Sequence, residues 1–173
     1  MVDLSSTNIS KRTSLDKILK IAFQCAKCGN CCAYSTGFLV GDDVKNIAKF
    51  LKISEEELKT RYLDEIEQFN TKLFRPKTTK KPFGPCIFLK NNECSIQKVK
   101  PLHCRIGNCN EKGQELSAWF TLNYWVNAKD PESVRQYKIY IDSGGKVIPG
   151  GKLEELVPDK NRLKQILEFK VLR

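Results

Sequence analysis

Eight cysteines dominate the chemistry available to this chain, and they fall into two groups. Cys25, Cys28, Cys31 and Cys32 follow the spacing C-x2-C-x2-C-C, and Cys86, Cys94, Cys104 and Cys109 are spread over a later stretch. Three chemistries use such a set. Disulfides need an oxidising compartment, and neighbouring cysteines bridge each other poorly, so this reading is the weakest. Zinc takes four thiolates in a closed tetrahedron, with C-x2-C as the usual half-site. An iron–sulfur cluster takes a C-x2-C-x2-C run plus a further cysteine from elsewhere, because short gaps let one loop wrap several iron corners.

Four sulfurs within eight residues (Cys25 to Cys32) are denser than a zinc half-site needs. In extended chain, neighbouring side chains point to opposite sides, so Cys31 and Cys32 are expected to face different centres. Eight thiols divide into two sets of four. The leading expectation is two 4Fe–4S clusters, with zinc as the alternative metal. Either would tie the two cysteine groups together and couple binding to folding.

The remaining candidates are few. His103 is the only histidine and stands beside Cys104, where it could ligate metal, donate to a sulfide or simply lie on a surface turn. Arg105 could donate to an anionic centre or fork onto a carboxylate. Trp119, Phe120, Tyr124 and Trp125 form an aromatic run expected to pack in a core. Gly144-Gly145 and Gly150-Gly151 lack the Lys-Ser/Thr of a phosphate loop, and no G-x-G-x-x-G exists. One histidine leaves little acid–base machinery for hydrolysis.

The pattern Phe23-x-Cys25-x-x-Cys28-Gly29-x-Cys31-Cys32, Gly84-Pro85-Cys86-x-Phe88-Leu89, Cys94-x-Ile96 and Pro101-x-x-Cys104-Arg105 resembles the YkgJ-type family of CxxCxxCC proteins. The resemblance implies zinc or iron chelation. The same domain occurs in flagellin lysine N-methylases, which keeps a cluster-dependent transferase-like enzyme as an alternative. Ile106-Gly107-Asn108-Cys109 stands where the family commonly has Phe/Tyr-Pro.

The elements that must position these residues are short. Leu15, Ile18, Leu19 and Ala22 have helical spacing, and so do Val44, Ile47, Ala48 and Leu51 after Asp42. Ser54-Glu55-Glu56-Glu57 is a capping-box signature for a helix reaching about Tyr62. Residues 68–85, rich in Lys, Thr and Pro, are expected to be an irregular connection. Residues 87–89 and 94–96 should form a small hairpin around Asn91-Asn92. A helical turn should start at Pro101, and Glu115–Ala128 should form a buried helix. The alternation Tyr137, Ile139, Ile141 before Asp142-Ser143-Gly144-Gly145 predicts a β-hairpin returning through Val147-Ile148. A last helix should hold Leu163, Ile166, Leu167 and Val171.

The expected fold class is α+β: a small cysteine-rich domain with helices packed around the metal centres and a C-terminal β-hairpin. The expected division is a flexible 1–13, a metal-binding domain over 14–112 and a helix–hairpin–helix extension over 113–173.

At 173 residues and 40% hydrophobic composition the chain can bury a core without disulfides. It lacks a run long enough to span a membrane and a signal-peptide segment, so a cytoplasmic setting is expected. The formal charge is +10, concentrated between Thr71 and Arg105, where nine basic residues meet one acid. That excess could offset anionic metal–thiolate centres, or attract nucleic acid or an acidic protein. The function expected is electron transfer, or redox support of a partner protein, rather than catalysis. A zinc-stabilised module binding RNA or an acidic partner is the alternative.

Overall fold

The computed structural model describes residues 8–22, 28–80, 83–107 and 111–171. Cys25 and Cys109 lie outside the described residues. The chain is α+β and divides into two compact units. One draws on Met1–Ile21, Glu67–Lys72 and Glu111–Arg173, and the other on Ala22–Ile66 and Leu73–Asn110. All six described cysteines fall in the second unit.

In the cysteine-bearing unit, α2 (Asn30–Tyr34) carries Cys31 and Cys32. Helix α3 (Asp43–Leu51) buries Ile47 and Ala48 and ends at Lys52 in a left-handed conformation. Helix α4 (Glu55–Tyr62) starts where the capping signature places it, with Ser54 Oγ accepting the Glu57 amide at 3.0 Å. The Glu57 carboxylate pairs with Arg61 instead of reaching back. Strands β3 (Leu89–Lys90) and β4 (Glu93–Cys94) form the expected hairpin, with Asn91 and Asn92 both at positive φ and Leu89 opposite Cys94. Helix α5 (Leu102–Ile106) begins after Pro101 and holds Cys104. The core gathers Leu39, Ile47, Leu58, Leu63, Phe88 and Ile96, and Cys86 is buried among them.

Residues 68–85 are not wholly irregular. Strand β1 (Leu63–Gln68) pairs with β2 (Thr71–Pro76). The two-residue turn Phe69-Asn70 takes positive φ at both positions, as a hairpin turn of opposite hand requires. Neither residue is glycine, so the turn carries no strong signal in the sequence. Phe69 tolerates this conformation because its ring is buried edge-on against Tyr137 and Tyr140.

The other unit contains the main correction. The expected C-terminal β-hairpin is helix α7 (Pro131–Asp142). Asp130 Oδ1 accepts the Glu132 amide at 2.9 Å, and Pro131 occupies the first turn. Val134 and Tyr137 face the core, whereas Ile139 is 67% exposed. The alternation at 137–141 was therefore not a buried strand face. Asp142-Ser143-Gly144 ends the helix, with Gly144 at φ 90°. Arg135 is buried; its Nη1 donates to the carbonyls of Ile166 and Val171, and its Nε pairs with Glu132 at 2.9 Å.

Also in this unit are α1 (Leu15–Ile21), α6 (Gly113–Phe120), α8 (Leu153–Leu156) and α9 (Lys160–Leu167). Helix α6 runs on through a wider π turn at Thr121–Trp125, which keeps Leu122 and Trp125 buried beside Trp119 and Phe120. Residues 8–14, ahead of α1, are held within the unit: Ile9 is buried, and Trp119 Nε1 donates to the Thr13 carbonyl at 2.9 Å. No helix among the described residues is long and apolar enough to cross a membrane.

Candidate metal centre

Chain segments separated by up to some seventy residues bring thiols together. Cys31 and Cys32 sit in the first turns of α2, with their sulfurs 3.9 Å apart. The extended geometry that would send them to opposite sides is absent, because consecutive residues of a helix diverge by only about 100°. Gly29 precedes this helix at φ 73°, and a Cβ there would meet the Asn92 carbonyl oxygen at 3.2 Å. Glycine thus lets the Cys28–Cys31 segment lie against the hairpin that carries Cys94.

Cys86 is joined to α2 directly, since its amide donates to the Cys32 carbonyl at 2.7 Å. The amides of Phe88 and Leu89 donate toward the Cys86 sulfur and favour its thiolate. Such amide–sulfur contacts stabilise a ligating thiolate. Cys104 is reached from the other side, where the Gly37 amide donates to its sulfur.

The thiols are in electrostatic reach of one another. Cys86 feels Cys94 and Cys31, Cys32 feels Cys31 and Cys86, and Cys104 feels Cys86 and Cys32. Burial pushes Cys86 up to about 11. Burial first, and then the neighbouring Cys31 charge, push Cys32 up to about 12. Burial drives Cys104 far above the ordinary thiol range. Lys100, itself buried, opposes the rise at both Cys32 and Cys104. Without a cation these thiols are neutral at pH 7, and a bound metal reverses that by coordinating thiolates.

Cys31, Cys32 and Cys104 line one cavity of about 90 Å³, together with Thr36, Lys100 and His103. That is room for several atoms rather than one. Among the described residues, no group of three His, Cys, Asp or Glu side chains is placed to hold a metal ion as it stands. None of the six described cysteines is in a disulfide. The donor set suits a thiophilic metal: soft sulfur ligands, with amide and ammonium donors around them.

His103 is engaged by the fold. Its Nδ1 accepts the Phe38 amide at 3.2 Å, and its ring stacks on Phe38 with centroids 5.4 Å apart. Burial holds it near pKa 4, so it stays neutral and supports the 37–38 segment beside Cys104. Arg105 is exposed, and its charge favours the Asp43 carboxylate.

Three residues that the sequence did not single out complete the site. Asp43 is buried, and its Oδ2 accepts the Val40 amide at 2.9 Å and the Leu102 amide at 3.1 Å, so it fixes the start of the Cys104 helix. Gly37 permits the backbone approach to Cys104, and Lys100 brings a buried ammonium to the thiols. The contacts that tie them to the cysteine elements are mostly distant in sequence.

The family of CxxCxxCC proteins, described as "Putative zinc- or iron-chelating domain", matches residues 24–122, more than half of the chain. The chain belongs to this family. The CxxCxxCC match spans both cysteine groups, and metal binding is the property it carries. A curated archaeal protein, "Uncharacterized protein MJ0661" of Methanocaldococcus jannaschii, is 37% identical over 100 residues. Those residues are 56% of this chain and 50% of the archaeal protein, so the chain spans about half the length of the curated relative it matches. No solved structure matches the chain.

Proposed function

We propose that this CxxCxxCC protein is an iron–sulfur protein serving electron transfer, or redox support, to a partner protein. The observation that carries this reading is the cavity of about 90 Å³ bordered by Cys31, Cys32 and Cys104. A lone zinc ion sits about 2.3 Å from each of four sulfurs and leaves no such space. Sulfurs from two distant segments that border one space of this size suit a polynuclear centre. Cys31, Cys32 and Cys104 would hold it from the cavity wall, with Cys86 adjacent through its bond to the Cys32 carbonyl. Eight cysteines suffice for two 4Fe–4S clusters, and Cys28 and Cys94 are described thiols available to a second. When bound, such a cluster accepts and passes on single electrons.

A second reading, structural zinc, is favoured by the 3.9 Å between the Cys31 and Cys32 sulfurs. Zinc–sulfur bonds of about 2.3 Å give a tetrahedral edge near 3.8 Å. For either metal, exposed Lys80, Lys90, Lys98 and Arg105 in the same unit support an anionic partner, an acidic protein ahead of nucleic acid.

Anaerobic purification followed by iron, acid-labile sulfide and zinc analysis separates the readings. Brown protein with matched iron and sulfide is expected. Colourless protein with stoichiometric zinc and no sulfide overturns the iron–sulfur reading.

A further inference from the structure

Two side chains of the thiol cavity have no role among the ligands. Lys100 is only 6% exposed and lines the cavity beside Cys32, from α2, and Cys104, from α5. Thr36 is 8% exposed, lines the same cavity, and its Oγ1 has no hydrogen-bond partner among the described residues. A buried hydroxyl left unbonded destabilises the fold. Valine would fill that position without the cost.

We propose that Lys100 and Thr36 are positioning residues of the metal centre, donating to the anionic sulfur that the bound centre brings into the cavity. This rests on the metal-binding reading above. A thiolate-ligated centre is negatively charged whichever metal it holds, and its sulfurs accept hydrogen bonds. The ammonium neutralises part of that charge beside the sulfurs, and the hydroxyl gains its missing acceptor. Both groups act through the sulfurs and neither is a ligand.

Lys100→Met removes the charge and keeps the apolar stem, Lys100→Arg restores a cation, and Thr36→Val removes the hydroxyl at constant shape. Lys98→Met is the control, deleting an equal charge from an exposed position two residues away. Each protein is prepared anaerobically with its metal and challenged with a chelator series. Residues that support metal ligands from behind typically change affinity by about 10–100-fold when removed. Lys100→Met should weaken retention within that range, Lys100→Arg should recover most of it, and Lys98→Met should match wild type. Thr36→Val should weaken retention in the same direction by less. If the centre is redox-active, Lys100→Met should also lower its reduction potential, because a lost positive charge disfavours the added electron.

Equal retention by wild type, Lys100→Met and Thr36→Val overturns the proposal and leaves the metal reading standing. Should Lys100→Met fail to fold, Thr36→Val decides alone, and unchanged retention overturns the proposal. A wild type that binds no metal overturns both.

Discussion

The Gly37 amide donates to the Cys104 sulfur, and the approach is so close that Gly37 has no space for a side chain. A Cβ there would fall against the Cys104 sulfur and within 3.0 Å of the Cys104 backbone nitrogen. Gly37→Ala should therefore displace Cys104 from the cavity. Overpacking of this kind costs about 1–3 kcal/mol. Denaturant unfolding should show that loss, and chelator competition should show weaker metal retention. Unchanged metal retention would mean that Cys104 is not held by this contact.

Asp43 performs a similar service from inside the fold. Its Oδ2 accepts both the Val40 and Leu102 amides, and it is 8% exposed. Asp43→Ala leaves the buried Leu102 amide and the part-buried Val40 amide unpaired, and loss of the buried partner alone costs about 1–3 kcal/mol. The chain should lose stability by that order, and α5 should loosen. Asp43→Asn, which keeps an acceptor oxygen, should recover part of the loss. Circular dichroism against denaturant checks both.

Proton linkage gives the metal-free protein two pH limits. Burial lowers His103 to about 4 from 6.5, so the unfolded chain takes its proton first as pH falls. Stability present above pH 6.5 should decline between pH 6.5 and 4, and His103→Gln should flatten that decline. At the alkaline end, Cys86 and Cys32 are raised from 9.0 to about 11 and about 12, both chiefly by burial. The unfolded chain then loses these protons first. Stability should be intact below pH 9 and fall as pH rises towards 11–12. Metal should remove the alkaline limit, because the thiols are then already deprotonated. Metal uptake should release protons and tighten with pH, by up to about tenfold per unit for each thiol deprotonated on binding. Calorimetry in buffers of different ionisation enthalpy measures that release.

The Asp130 cap tests the corrected C-terminal unit. Its Oδ1 holds the Glu132 amide at the start of α7. Asp130→Ala should cost about 1 kcal/mol, read as a lower unfolding midpoint with an unchanged denaturant slope.

How far these features were legible in the sequence depended on the range of the contacts. The cysteine spacing is local, and by itself it points to metal. Ser54, Asn91-Asn92 and Pro101 are local signals too, and each marks the element it should. Tyr137, Ile139 and Ile141 misled because five residues fit both an alternating strand and one and a half helical turns. Asp130-Pro131, seven residues upstream of Tyr137 at its start, was the signal that could have decided for the helix. Asp142-Ser143-Gly144 serves a helix end as readily as a strand turn. Phe69-Asn70 concealed the β1–β2 hairpin because no glycine marks it. The Cys31–Cys32 pair was assigned opposite directions on the assumption of extended chain, and α2 removes that assumption. Gly37, Asp43 and Lys100 act chiefly on residues tens of positions away; the near contacts are Asp43 with Val40 and Lys100 with Cys104. Nothing in their own neighbourhoods announces a role.

The central claim is that thiols from both cysteine groups hold one inorganic centre, Cys31 and Cys32 from the first and Cys104 from the second. The most direct test is metal, sulfide and free-thiol content of anaerobically prepared wild type beside Cys32→Ser and Cys104→Ser. Matched iron and sulfide in wild type, with the same centre lost or depleted in both variants, is the expected result. Folded wild type with no iron or zinc and every thiol free to react would contradict it.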